Sequence, residues 1–289
     1  MRYTPELLLK PFTFPETPRW YRDAFYFCDI DAGTIYRIGP DGQPQAVYVH
    51  GSPVSGWVRL DDGSLLVVAG IERRIVAVRD GVASTFADAS GKVGWAINDL
   101  LRTPDGHCYV GGIDFNLFAD PSQAGQPSPL LHVAPNGHVD VATREIVFAN
   151  GMTVLPSGEL LVADSLTGEL LAFARKADGS LANRRVWAAL PGEMPDGISL
   201  DAEGAVWVAS HHRVLRVREG GEVTDEVDMG STRATACMLG GTDGRSLLIT
   251  ASDTHDRAEI RAKGPSGAVY AVRVPVAGAG LPSVYAAAA

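Results

Sequence analysis

The chain has 289 residues, 46% hydrophobic and 20% charged, with 32 Gly and 18 Pro; that composition supports a large core and excludes a disordered or low-complexity protein. A formal net charge of −9 without any Lys/Arg cluster excludes nucleic acid or an anionic membrane surface as the main partner. The one apolar run of the opening stretch, Leu7-Leu8-Leu9, is far shorter than a signal-peptide core or a membrane span, so the expected location is the cytoplasm.

In chain order the first extended segment is Glu6 to Phe12. Apolar runs rich in Val, Leu, Ile and aromatics then begin near Ala24 (AFYFCDI), Ser64 (SLLVVAG), His107 (HCYVGGI), Glu159 (ELLVADS), Ala205 (AVWVASH) and Ser246 (SLLITAS). Each has the length and composition of a short β-strand. Turn signals precede them, as in Asp61-Asp62-Gly63, Pro104-Asp105-Gly106, Pro156-Ser157-Gly158 and Thr242-Asp243-Gly244, where Gly supplies the positive φ of a tight hairpin. A further strand follows each run: TIYRI, RIVAV, LLHVA, ELLAFA, RVLRV and AVYAVRV. No helical periodicity of useful length interrupts the series. Cys28, Cys108 and Cys237 all fall inside strand-like runs, which fits reduced, buried thiols better than disulfides or a metal cluster.

A strand-only unit repeated six times at roughly forty to fifty residues is the signature of propeller blades, each of which hides its faces only by stacking on its neighbours. The expected fold is all-β: one six-bladed β-propeller of four-stranded antiparallel blades, a single domain over residues 1–289. Glu6 to Phe12 is the candidate strand for closing the ring against the last blade.

In such a ring the first strand of every blade lines the axis and starts at the same mouth. Counting back eight positions from Gly63, Gly106, Gly158 and Gly204 reaches Ser55, Asn98, Asn150 and Asp196. Blade one, with a shorter turn, offers Glu16, and blade six offers Thr235 or Ala236. Glu16, Asn98, Asn150 and Asp196 are therefore expected at one opening; the alternative for any single Asn is an Asx-type loop cap. Two carboxylates and two amide oxygens, with no thiolate and no evident His, suit a hard or borderline divalent cation. Ca²⁺ is the simplest occupant, and Zn²⁺, Mn²⁺ or Mg²⁺ accept the same donors. Glu16 and Asp196 together offset two positive charges, and few protein ligands leave positions for water and substrate.

These landmarks resemble the gluconolactonase, regucalcin (senescence marker protein) and luciferin-regenerating enzyme family of six-bladed propellers. The resemblance runs over nearly the whole chain through Glu16-Thr17-Pro18-Arg19-Trp20, Ile97-Asn98-Asp99, Asn150-Gly151-Met152-Thr153, Pro195-Asp196-Gly197-Ile198 and Cys237-Met238-Leu239-Gly240-Gly241. It implies that Glu16, Asn150 and Asp196 bind the metal, while Asn98 contacts the substrate or the water on that metal. It also implies hydrolysis of a small lactone, the cation polarising the ring carbonyl and activating water. Asp196 is the first choice for moving the proton, as both ligand and general base. Asp99 is the competing base, or else a partner that orients Asn98.

The chain departs from the family at Ala96, where the sugar lactonases often carry an Arg two residues before the Asn of blade three. Trp57, Trp95, Phe115 and Phe118 lie on segments that reach the same mouth, so a less polar lactone or ester is an alternative substrate, ordinary packing being the other role for these rings. Turns after the second strands rim the site, and two are long, Ile113 to Pro129 and Ser252 to Gly267. Asn98, Phe115, His211, His212 and His255 are the candidate substrate contacts. Alternatives to a lactonase are a related metal-dependent esterase, phosphotriesterase or cyclase, or a ligand-binding propeller without catalysis. The repeat has no bearing on oligomeric state.

Overall fold

A computed structural model describes residues 1–116, 125–254, 256, 259, 260, 262 and 264–282. Its strands group into six sheets. Blade one holds β3 (Pro15–Tyr21), β4 (Ala24–Asp29), β5 (Thr34–Ile38) and β6 (Pro44–Val49); blade two holds β7 (Val54–Arg59), β8 (Leu65–Ala69), β9 (Arg74–Arg79) and β10 (Val82–Asp88). Blade three holds β11 (Ala96–Arg102), β12 (Cys108–Ile113), β13 (Ser128–Val133) and β14 (Val139–Ile146); blade four holds β15 (Ala149–Val154), β16 (Leu160–Asp164), β17 (Glu169–Arg175) and β18 (Leu181–Ala189). Blade five has β19 (Pro195–Leu200), β20 (Val206–Ser210), β21 (Arg213–Val217) and β22 (Val223–Asp228), and blade six has β23 (Arg233–Gly240), β24 (Ser246–Ser252) and β25 (Gly267–Arg273). The inner strands β3, β7, β11, β15, β19 and β23 each touch the next around the axis, and β23 returns to β3. The molecule is a six-bladed β-propeller with almost no helix.

Burial falls from the axis outward. Every residue of β8, β12, β16 and β20 is buried, because both faces of a blade are covered by its neighbours; hence the unbroken apolar runs in the sequence. The outermost strands β6 and β10 are mostly exposed. The first hairpin turn of blades two to six carries a left-handed glycine, from φ +70° at Gly244 to +88° at Gly106, and blade one makes its shorter turn with Arg22 at φ +54°. Aromatic side chains fill the wedges between blades: Trp57 lies 5.7 Å from both Tyr21 and Tyr26, and Phe12 packs edge-on against Phe27 at 4.9 Å.

The ring closes with β2 (Glu6–Phe12) antiparallel to β25, Glu6 opposite Ala271 and Phe12 opposite Gly267, as the sequence predicts. One element goes beyond four strands per blade: β1 (Arg2–Tyr3) adds a short parallel strand to β22, Arg2 opposite Glu226. The first twelve residues thus bind two adjacent blades. Beyond β25 the chain crosses beneath blade five, where Ala279 N donates to Leu200 O at 3.0 Å. Cys28, Cys108 and Cys237 are buried and unpaired; burial pushes the Cys108 thiol up to about 12, so it stays protonated. Among the described residues, no helix is long and apolar enough to cross a membrane.

Candidate active site

Each inner strand breaks its ladder once, close to its start. The interruptions fall between Glu16 and Arg19, Val54 and Gly56, Asn98 and Leu100, Ala149 and Met152, Pro195 and Ile198, and Ala234 and Ala236. A bulge leaves a residue without a ladder partner and re-aims its side chain. The six bulges take in Thr17, Ser55, Asp99, Asn150, Asp196 and Thr235, and Glu16, still paired with Cys28, stands immediately before the first.

Close approach of the strands makes the ring tight. A Cβ on Gly151 would stand 2.6 Å from both Asp196 O and Ile198 N, and one on Gly56 would stand 2.9 Å from Leu100 N. Only glycine lets these backbones touch. Hydroxyls then tie one blade to the next: Ser55 Oγ donates to Ile97 O at 2.8 Å, Ser165 Oγ to Pro195 O at 2.6 Å and Thr235 Oγ1 to Pro15 O at 2.7 Å. The segments entering the inner strands are pinned by the ends of the second strands. Asp29 accepts from Thr13 N at 2.8 Å and Phe14 N at 2.7 Å, and Asp164 accepts from Val147 N at 2.9 Å and Phe148 N at 3.0 Å. A carboxylate with two amide donors holds the chain where the site begins.

Thr17 occupies a left-handed conformation, φ +49°, that a β-branched residue rarely adopts. Its surroundings hold it there: its amide donates to the Glu16 carboxylate, its hydroxyl to Asp99 Oδ1 at 3.3 Å, and its carbonyl accepts from Trp57 Nε1 at 3.1 Å. Trp57 is fully buried, so it braces the bulge from behind and does not line the mouth.

Three carboxylates meet in this ring. Burial, followed by the charges of Asp196 and Asp99, pushes the Glu16 carboxyl well above the usual range. Asp196, though half-buried, is also pushed well up by desolvation and by Asp99, against the pull of hydrogen bonds from Asn150 and the Gly197 amide. Burial lifts Asp99 to about 6, with Arg19 and the Thr17 hydroxyl drawing it down. Poor solvation raises all three in the metal-free protein, and at Glu16 and Asp196 the neighbouring carboxylates add to it. Glu16, Asp196 and the Asn150 amide oxygen are donors of the all-oxygen kind that could hold a divalent ion. Among the described residues no three His, Cys, Asp or Glu side chains group as a metal cluster.

The sequence-predicted residues are distributed unequally. Glu16 and Asn150 are buried and Asp196 half-buried within the ring. In blade three the count from Gly106 reaches Asn98, half-buried and paired with Gly111 immediately before the bulge, as Glu16 is paired with Cys28 in blade one; the bulge itself takes in Asp99, one position later than in β7. Ala96 is buried opposite Ile113, and Phe115 is 5% exposed just beyond that strand. His211 has φ +46° and its carbonyl accepts from Ala234 N at 2.8 Å at the entry of blade six, whereas His212 is exposed with its ring 3.2 Å from Thr232 O. His255 and Phe118 lie outside the described residues. Sequence counting missed Arg19, a buried cation inside β3; its signal was a charged residue between Pro18 and Trp20, on a strand otherwise destined for the interior.

Residues 14–253 match the model of the SMP-30/Gluconolactonase/LRE-like region. Among curated relatives, a 6-deoxy-6-sulfogluconolactonase from Pseudomonas putida is 28% identical over 94% of this chain and 95% of its own. Regucalcin from Gallus gallus is 27% identical over 89% of each. Among solved structures, a calcium-binding regucalcin from Agrobacterium tumefaciens superposes with a TM-score of 0.80 at 19% identity, covering 96% of both chains.

Proposed function

The chain belongs to the SMP-30/gluconolactonase/LRE-like family, and from that premise we propose that it is a metal-dependent lactonase hydrolysing a sugar-acid or related small lactone. The observation that carries the reading is the axial ring, where Glu16, Asp99 and Asp196 are held together against their mutual repulsion. Glu16, Asn150 and Asp196 would hold one divalent cation, Ca²⁺ being the simplest. When bound, that ion supplies Lewis-acid polarisation of the ring carbonyl and a lowered pKa for water.

The chain's own residues handle position and protons. Asp196, oriented by the Asn150 amide, accepts a proton from the attacking water as oxygen adds to the carbonyl carbon. The ring C–O bond then breaks and the proton passes to the departing alkoxide oxygen, leaving an open hydroxy acid. Asp99 is the competing acceptor; its bond from the Thr17 hydroxyl suits either that role or holding the third inner strand in register. Asn98, Phe115, His211, His212 and His255 are the proposed contacts to the rest of the substrate. The three unpaired, buried thiols suit a reducing cytoplasm.

The donor-free position Ala96 and the buried Phe115 ring favour a second reading, a less polar lactone or ester at the same centre. Hydrolysis across sugar, aliphatic and aromatic lactones, with and without chelator, separates the two. Metal-dependent turnover of at least one class is expected, and Asp196→Ala should lower it about 100-fold or more with the far-UV circular dichroism of the folded protein unchanged. Full turnover in chelator, or in that variant, overturns the mechanism.

A further inference from the structure

Next to the carboxylates is a small cavity of about 10 Å³ whose lining includes Glu16, Thr17, Arg19, Asp99 and Pro282, room for about one water molecule. Arg19 is only 7% exposed. Its Nη1 donates to Pro18 O at 3.0 Å and its Nη2 to Leu100 O at 3.3 Å, while Nε is buried without a hydrogen-bond partner. Burying a guanidinium is costly unless negative charge compensates it. Among the described residues its donors meet backbone carbonyls, so the compensation acts through space, and the Arg19 charge draws both the Asp99 and the Glu16 carboxyls downward.

With all three carboxylates ionised, as a bound cation would require, one fixed guanidinium leaves two negative charges, the charge of one divalent ion reversed. We infer that Arg19 is a built-in counter-cation that matches the axial pocket to a single divalent ion and stabilises the ring of carboxylates before any ion arrives. Guanidinium does not lose its proton in a protein, and two carbonyls from different strands clamp it, so this charge is permanent. It opposes the incoming ion by Coulomb repulsion and thereby weakens cation binding, in exchange for a metal-free protein that remains folded.

The inference rests on the metal reading above, and its test separates the two. Arg19→Met keeps the length and removes the charge; Arg19→Lys keeps the charge. Calorimetric titration of each chelator-stripped protein with Ca²⁺ is paired with its metal-free melting curve. Arg19→Met is expected to bind Ca²⁺ about tenfold or more tightly and to melt lower without metal, while Arg19→Lys stays near the parent in both. A parent protein that binds no Ca²⁺, Zn²⁺, Mn²⁺ or Mg²⁺ overturns the metal reading alone; a lower metal-free melting temperature in Arg19→Met, rescued in Arg19→Lys, then still supports the counter-charge. Unchanged metal-free melting in Arg19→Met, or equal shifts in the Met and Lys variants, overturns the inference.

Discussion

Glu16, Asp99 and Asp196 are held where water cannot fully solvate them, and their raised proton affinities make metal-free stability depend on pH in a definite direction. A carboxyl that binds its proton more tightly folded than unfolded favours the folded state when protonated. Metal-free protein should therefore lose stability as pH rises from about 4, the unfolded value, through about 6, where Asp99 titrates. At the limit Asp99 alone contributes about 3 kcal/mol to that loss. Chemical denaturation in chelator at pH 5 and pH 7.5 measures it; higher stability at pH 7.5 contradicts the electrostatic picture. Bound cation reverses the preference at all three groups, so the trend should disappear when a divalent ion saturates the site. Glu16 and Asp196 were legible from register and residue type because a carboxylate at the start of an axial strand has few structural uses. Arg19 was not, since only burial distinguishes it from a surface Arg on a strand.

At the level of the element, the bulge is the device that builds the site. A regular strand alternates its side chains between the two faces of a blade, and neither direction points along the axis. One interruption per inner strand breaks that alternation, and in β7, β15 and β19 a glycine at the break lets the neighbouring strand come close. Gly151→Ala places a methyl 2.6 Å from Asp196 O, so β19 must retreat and carry Asp196 with it. Stability should fall by about 1–3 kcal/mol, the usual cost of overpacking, and turnover should fall further than stability explains; denaturant midpoints and initial rates at the same pH test this. Turn glycines predicted the hairpins because positive φ is a local demand. The bulge in β11 has no such local mark, so a fixed count from Gly106 reaches Asn98, one residue before the bulged Asp99.

The whole ring depends on joining its ends. Strand β2 supplies the outer edge of blade six and β1 extends blade five, so residues 1–12 fasten the last two blades from outside. Their removal would expose the β25 edge to intermolecular pairing and free blade six from the start of the chain. A variant lacking residues 1–12 should melt at a lower temperature and form larger species on size-exclusion chromatography; a monomer of unchanged melting temperature would show that the inner strands close the ring unaided. The repeat, its strand-turn chemistry and the closing segment were all readable from residue order, because hairpin pairing and apolar burial within a blade are short-range consequences of local composition. The bulge at Asp99, the strained Thr17, the bracing Trp57 and the buried guanidinium emerge only when six blades meet, since register at a bulge and the charge balance of a shared cavity depend on residues far apart in the chain.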